Sequence, residues 1–254
     1  MDASATLAVG GPLKRFSEAL HPQGHWTWAY DNFDAVVSRL ISEFSLVDVC
    51  ELGGGRSPKF SEATIASQGL RYVVNDISSA ELARAPAWVE KAQFDLASPA
   101  LPEAYHRRFD LVFSHMLMEH VRDCAVAYRN IYAMLRPGGI FFNFHPVLYS
   151  PALVFNWVMP ETLTKRILLF LQPNRHDEGY PKFPARYSYC VVSPKTERML
   201  QDIGFTETIL VPFYGNDYLK KLPPLQAIED WMSGYAMRED KRLLASLCYS
   251  LGRK

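Results

Sequence analysis

The sequence predicts an α/β protein with a doubly wound, mostly parallel sheet. Three observations carry this expectation. Short apolar runs alternate with segments of helical period through residues 1–145. The first run ends abruptly in a glycine turn, Gly53-Gly54-Gly55. The alternation, interrupted at residues 146–195, resumes to the end of the chain.

Residues 1–45 read as a polar lead and then a helix. Trp26, Phe33, Val36, Val37, Leu40, Ile41 and Phe44 recur at helical spacing, and Asp31 or Asn32 is the expected cap. Residues 46–52 are a strand that stops at the glycines. Ser57 and Pro58 predict a helix start, serine as cap and proline in the first turn, with Gly69 ending the helix. Residues 70–75 form the second strand, closed by Asp76. A helix follows over 78–90, interrupted near Pro86, then a short strand at 92–95. Residues 109–114 are a strand, 121–135 a helix, 136–139 a turn and 140–144 a buried strand ending at His145 and Pro146. The stretch 146–195 holds seven of the seventeen prolines and many aromatics, and reads as an inserted helical lid. Residues 193–203 are a helix capped by Ser193, 206–213 a strand, 223–237 a helix and 245–251 a last strand.

The chain of 254 residues is 48% hydrophobic and 21% charged, enough to bury a sizeable core, so disorder is excluded for the whole. Lys plus Arg and Asp plus Glu each number 27, and zero net charge disfavours nucleic acid as a partner. Cys50, Cys124, Cys190 and Cys248 are widely spaced, which suits reduced thiols and neither a zinc site nor a disulfide framework. Residues 1–12 lack a secretory pattern, and the uncharged run 137–160 holds Pro146, Pro151 and Pro160, which makes it a poor spanning helix. A cytoplasmic location without a transmembrane segment is expected.

In an open parallel sheet, ligands sit outside the carboxyl ends of the strands. Glu51-Leu52-Gly53-Gly54-Gly55 and Asp76 both stand there. Asp76 follows Gly53 by 23 residues, the spacing at which an acidic side chain meets ribose hydroxyls. Pro58 replaces the third glycine of a dinucleotide fingerprint, and Arg56-Ser57-Pro58 replaces the lysine of a P-loop, so neither phosphate pattern is met.

A third pattern fits. Residues 51–55 (ELGGG), Asp76, Phe94-Asp95, residues 109–120 (FDLVFSHMLMEH) and residues 135–139 (LRPGG) together resemble the class I S-adenosylmethionine-dependent methyltransferases, in order and spacing. The resemblance implies a Rossmann-like, seven-stranded sheet whose C-terminal strand, 245–251, is antiparallel. It divides the chain into an N-terminal helical cap (1–45), a cofactor-binding core (46–145), a lid that binds the acceptor (146–195) and the C-terminal part of the core sheet (196–254). S-adenosyl-L-methionine is the implied cofactor. Gly53 and Gly55 would pass its methionine part, and Glu51 would hold the loop or bind the amine through water. Asp76 would bind the ribose, Ile77 the adenine, Asp95 the adenine amino group and Leu96 the ring. Ser114 and His115 would face the methionine end. The Glu119-His120 pair is often structural in this family. Gly54 and Arg56 make the first loop less typical.

Transfer from a sulfonium needs mainly positioning, with a base for a hydroxyl acceptor. His145 and His115 end strands on the expected side, as candidate bases or as packed histidines. The spacing of His115, Glu119 and His120 is not that of a metal motif, so no metal is expected. Arg56, Trp157, Tyr180, Arg186 and Tyr187 are the candidate acceptor contacts, with Arg56 either reaching a substrate or solvated. The expected partner is a small-molecule acceptor, methylated on oxygen in a sugar-containing or other specialised metabolite. RNA or protein as acceptor is the second reading, disfavoured by neutral charge and by the lack of an Asn/Asp-Pro-Pro-Tyr motif. A third is attachment to a membrane surface or partner through residues 152–171, where Lys165 and Arg166 adjoin an apolar stretch.

Overall fold

The computed structural model describes residues 10–20, 22–149 and 184–254. Seven strands form one sheet: β1 (Asp48–Leu52), β2 (Arg71–Asp76), β3 (Glu90–Gln93), β4 (Phe109–His115), β5 (Leu135–Pro146), β6 (Glu207–Phe213) and β7 (Leu247–Arg253). Their order is β3-β2-β1-β4-β5-β7-β6. Neighbours from β3 to β5 are parallel, and β7 runs antiparallel between β5 and β6. The architecture is thus the mixed, Rossmann-like α/β sheet that the alternation predicts. Every residue of β1 is buried, as a parallel strand covered on both faces must be.

The helices are α1 (Pro12–Ala19), α2 (Trp26–Glu43), α3 (Glu62–Gln68), α4 (Ser79–Ala83), α5 (Cys124–Met134), α6 (Pro194–Ile203) and α7 (Pro223–Arg238). One core lies on the α2 side of the sheet. There Phe33 stacks on Phe142 and Phe144, with ring centroids 5.4 and 5.7 Å apart. The other core holds α5 and α6 against Cys50, Val112 and Phe141. All four cysteines are buried free thiols. Among the described residues, no helix is long and apolar enough to cross a membrane.

Several local expectations are corrected. α2 starts at Trp26, whose amide bonds the Tyr214 carbonyl, and His25 caps it by accepting from the Thr27 amide. Asn32 lies inside the helix and donates to the Trp28 carbonyl, and neither it nor Asp31 is the cap. α3 begins four residues later than Ser57 suggests, capped by Ser61. The intervening chain turns and bends without forming a helix, so that the Lys59 amide reaches Glu51 and Phe60 buries against Tyr72 and Phe113. α4 is a short helix capped by Ser78, since proline at 86 cannot continue one. Residues 136–139 belong to the bulged start of β5 and not to a free turn. The expected polar lead contains a helix of its own, α1, whose Leu13 and Phe16 are buried. Most of the expected lid, with the 152–171 stretch, lies outside the described residues.

Because Phe33 is the hub of the α2-side aromatic cluster, Phe33→Ala should cost about 3–5 kcal/mol in urea unfolding. A loss below about 1 kcal/mol would mean that this face does not depend on ring packing.

Candidate functional site

The order of the sheet reverses at β1, so the connections leaving β1 and β4 diverge and open a crevice above them. A cavity of about 440 Å³ occupies it, within the range of small-molecule sites. Gly53, Gly54 and Gly55 form one wall. Asn75, Asp76 and Ile77 form a second, Phe94, Asp95 and Leu96 a third, and Met116, Leu117, His120 and Val121 a fourth.

The first wall is held from beneath by Glu51. Its buried carboxylate accepts hydrogen bonds from the Lys59 amide (2.9 Å) and the Tyr72 hydroxyl (2.5 Å). Gly53 and Gly55 have φ of +71° and +49°, which glycine adopts freely. A Cβ on Gly55 would come 2.8 Å from Asp76 Oδ2, so the first two walls meet closely only because Gly55 has no side chain.

Asp76 is half-buried at the end of β2. Its Oδ1 accepts from the Ser78 amide at 2.8 Å, and burial raises its pKa against that bond. Asp95 accepts from the Ala97 amide, also at 2.8 Å. The third wall is fixed by two buried amides. Asn75 donates to the carbonyls of Ala92 and Phe94, and Asn130 on α5 donates to those of Leu96 and Ser98. Both asparagines escaped the sequence reading. Their signal is a polar amide at a position where strand or helix periodicity calls for an apolar side chain. Phe94, Met116, Leu117 and Val121 were also missed as cavity residues, because apolar side chains there look like core.

Other expected site residues are placed elsewhere. Ser114 is fully buried and donates to Asn143 Oδ1 at 2.8 Å. His145 is also buried, beside Cys248 of β7, with its Nδ1 3.0 Å from the Pro146 carbonyl. Neither is among the described residues lining the cavity, and neither is His115. In register, His115 lies beside Phe144, so His115 and His145 emerge on opposite faces of the sheet. His115 is half-buried between Phe33 and Tyr30. Burial, with Lys59 adding a like charge, lowers its pKa to about 4. Burial likewise lowers that of His145 to about 4.

Arg56 is not simply solvated: it lines the cavity, where its guanidinium grips the Glu81 carboxylate with two hydrogen bonds. The Arg186 and Tyr187 amides both bond the Glu119 carbonyl. Tyr187 is buried in the α5-side core, while Arg186 is exposed. Trp157 and Tyr180 lie outside the described residues. Glu119 itself is buried, its carboxyl pushed up to about 8 by burial, and its Oε2 has no hydrogen-bond partner among the described residues. Among those residues no group of three or more potential metal ligands occurs.

The arrangement offers two carboxylates to hydrogen-bond donors and apolar side chains to a flat ring. Its glycine wall admits close main-chain contact. That acceptor set fits an uncharged nucleoside better than a phosphate, since both arginines lining the cavity face carboxylates, Arg56 gripping Glu81 and Arg122 lying 3.9 Å from Asp95.

The sequence matches the family model described as "Methyltransferase domain" over residues 12–206. No curated protein matches it significantly. Several solved structures share the fold. Phosphoethanolamine N-methyltransferase 2 of Haemonchus contortus, in complex with S-adenosyl-L-methionine, superposes with a TM-score of 0.50 at 16% identity, covering 82% of this chain and 48% of that one. This chain therefore spans about half the length of that enzyme. A SAM dependent methyltransferase from Archaeoglobus fulgidus gives 0.51 at 14% identity, covering 90% of this chain and all of the other. The CMeT domain of citrinin polyketide synthase gives 0.53 at 14%, with coverages of 96% and 57%.

Burial pushes the Glu51 carboxyl up to about 7 from 4.5, against the bonds from Tyr72 and Lys59. The native state thus holds this proton more tightly than the unfolded chain. Its contribution to stability is present below pH 4.5 and is lost as pH rises towards 7. Glu51→Gln should remove a decline of about 3 kcal/mol across that window, read by urea unfolding at each pH. An unchanged decline would assign it to another group.

Proposed function

This chain belongs to the methyltransferase-domain family, and from that premise we propose that it transfers a methyl group from S-adenosylmethionine to a small-molecule acceptor. The acceptor atom in this reading is an oxygen of a sugar-containing or other specialised metabolite, and the setting is cytoplasmic biosynthesis. One observation carries the cofactor reading. A single cavity is bounded by Gly53 and Gly55, by Asp76 and Ile77, and by Asp95 and Leu96, three stretches far apart in the chain.

When bound, S-adenosylmethionine supplies a methyl group already activated on a sulfonium. Asp76 accepts hydrogen bonds from the ribose hydroxyls, and its partial burial strengthens them. Ile77 and Leu96 flank the adenine, and Asp95 accepts from its amino group. Gly53 and Gly55 let the main chain approach the methionine part. Glu51 acts from below, holding the loop through Lys59 and Tyr72. With the methyl group so activated, holding the acceptor in line supplies much of the rate.

A hydroxyl acceptor gains from a base. We assign that role to His115 over His145. His115 immediately precedes Met116, a cavity residue, and its imidazole is neutral at pH 7 with a lone pair to take a proton. His145 is enclosed in the sheet. Exposed Arg186 is assigned to an anionic group on the acceptor. Zero net charge supports a small molecule over RNA.

Asp76→Ala should weaken S-adenosylmethionine binding about 10- to 100-fold in calorimetry, and unchanged affinity would end the ribose assignment. His115→Asn should lower kcat about 100-fold while leaving cofactor affinity intact. Wild-type turnover in that variant would exclude the base. Labelled cofactor offered with metabolite, RNA and protein pools should mark small metabolites. Label entering only RNA or protein would overturn the acceptor class.

A further inference from the structure

Arg56 sets the loop after β1 apart from the usual glycine pattern, and the contacts assigned to the cofactor leave it without a task. It stands where the first two walls of the cavity meet. Gly55, its neighbour, is wedged between β2 and α4. A Cβ there would come 2.8 Å from Asp76 Oδ2 and 3.4 Å from Glu81 Cβ. Two acidic residues thus flank one missing side chain. Among the described residues Asp76 has no cationic partner, and its Oδ1 takes the Ser78 amide. Glu81 does have one. Arg56 Nε and Nη2 donate to its two carboxylate oxygens, and the two side chains are only 14% and 11% exposed. Such a side-on pair fixes direction as well as charge.

We propose that Arg56 is a positioning residue for the cofactor: it neutralises Glu81, so that Asp76 stays ionised and accepts hydrogen bonds from the ribose hydroxyls. This role rests on the assignment of Asp76 to the ribose. An ionised carboxylate accepts at both oxygens, whereas a protonated one turns one of them into a donor. Two uncompensated carboxylates side by side hold a shared proton rather than both ionise. Glu81 already pulls in that direction. Burial is the main cause that raises the Asp76 carboxyl above its ordinary value, and the Glu81 charge adds to it. Arg56 sets a positive charge against Glu81, and its hydrogen bonds hold the Glu81 carboxyl below its own ordinary value.

No other charge around the junction replaces Arg56. Arg84, at the end of α4, attracts Glu81 more weakly and makes no ion pair with it. Lys59, further along the loop, pairs with Asp34 at 3.6 Å. On the third wall Asp95 faces Arg122 at 3.9 Å, and on the fourth His120 lies 3.7 Å from Glu119.

Carbon NMR titration of the Asp76 carboxyl in the cofactor-free protein reads this arrangement without involving the ribose. Arg56→Met should raise the midpoint by about one pH unit, and Glu81→Gln should lower it. The double variant should return to within about half a pH unit of wild type. Arg56→Lys, which keeps the charge, should shift it less than Arg56→Met. Calorimetry with S-adenosylmethionine across pH should show the same order. The pH below which binding weakens rises in Arg56→Met, falls in Glu81→Gln and recovers in the double variant. At pH 8, where Asp76 is ionised throughout, all affinities should agree within about threefold. An Asp76 midpoint that ignores Arg56→Met overturns the proposal, as does a double variant no different from Arg56→Met. Binding by Arg56→Met that is weakened as much at pH 8 as in acid also overturns it, since the pair would then be only a structural clasp. Midpoints that move as expected while Asp76→Ala leaves cofactor affinity unchanged would instead fault the ribose assignment and uphold the control of Asp76 by Arg56.

Discussion

β1 is flanked by β2 on one side and β4 on the other, and the sheet is built outward from it in both directions. Chain leaving β1 and chain leaving β4 must therefore separate, and the space between them cannot be filled by either connection. This constraint creates the cavity. What keeps it open is a buried carboxyl. Glu51 ties the segment after the glycines back to the sheet through Lys59 and Tyr72. Gly54 lies directly over it, where a Cβ would come 2.7 Å from the Glu51 carboxyl carbon. The loop is therefore held close by a hydrogen-bonded acid and by the absence of side chains above it.

The opposite wall is made the same way with different groups. Asn75 and Asn130 each spend both amide hydrogens on main-chain carbonyls of β3 and the connection that follows it. These are buried bonds, and losing either partner would leave an unsatisfied polar group in the core. The site thus rests on rigid strands braced by buried polar contacts, which favours a preformed cavity.

The two candidate histidines show how strand geometry limits what a motif can mean. Both end neighbouring parallel strands at the same rim. The register aligns His115 with Phe144, and the two-residue period of a strand then turns His145 to the other face. Proximity along the rim does not bring them to one substrate. Ser114 is removed from the cavity for the same reason, facing the α5-side core where Asn143 takes its hydroxyl hydrogen.

The alternation of apolar runs and helical segments was enough to predict the strands, because each buried strand must be apolar whatever its neighbours are. Gly53, Gly55 and Asp76 were readable from backbone freedom and rim acidity, which are local properties of residue type, whereas Ile77, Asp95 and Leu96 followed from the resemblance to the methyltransferases. Tertiary contacts decided the rest. The Tyr214 carbonyl moves the start of α2 to Trp26, and the demand of Glu51 for the Lys59 amide delays α3 to Ser61. Glu81 neutralises Arg56, a partner 25 residues away that no local pattern announces. Sequence alone determined which residues must be buried and which must turn, because hydrophobicity and φ preference belong to single residues. Only the folded chain decided which polar groups meet, because hydrogen bonds and ion pairs depend on distances that chain crossings set.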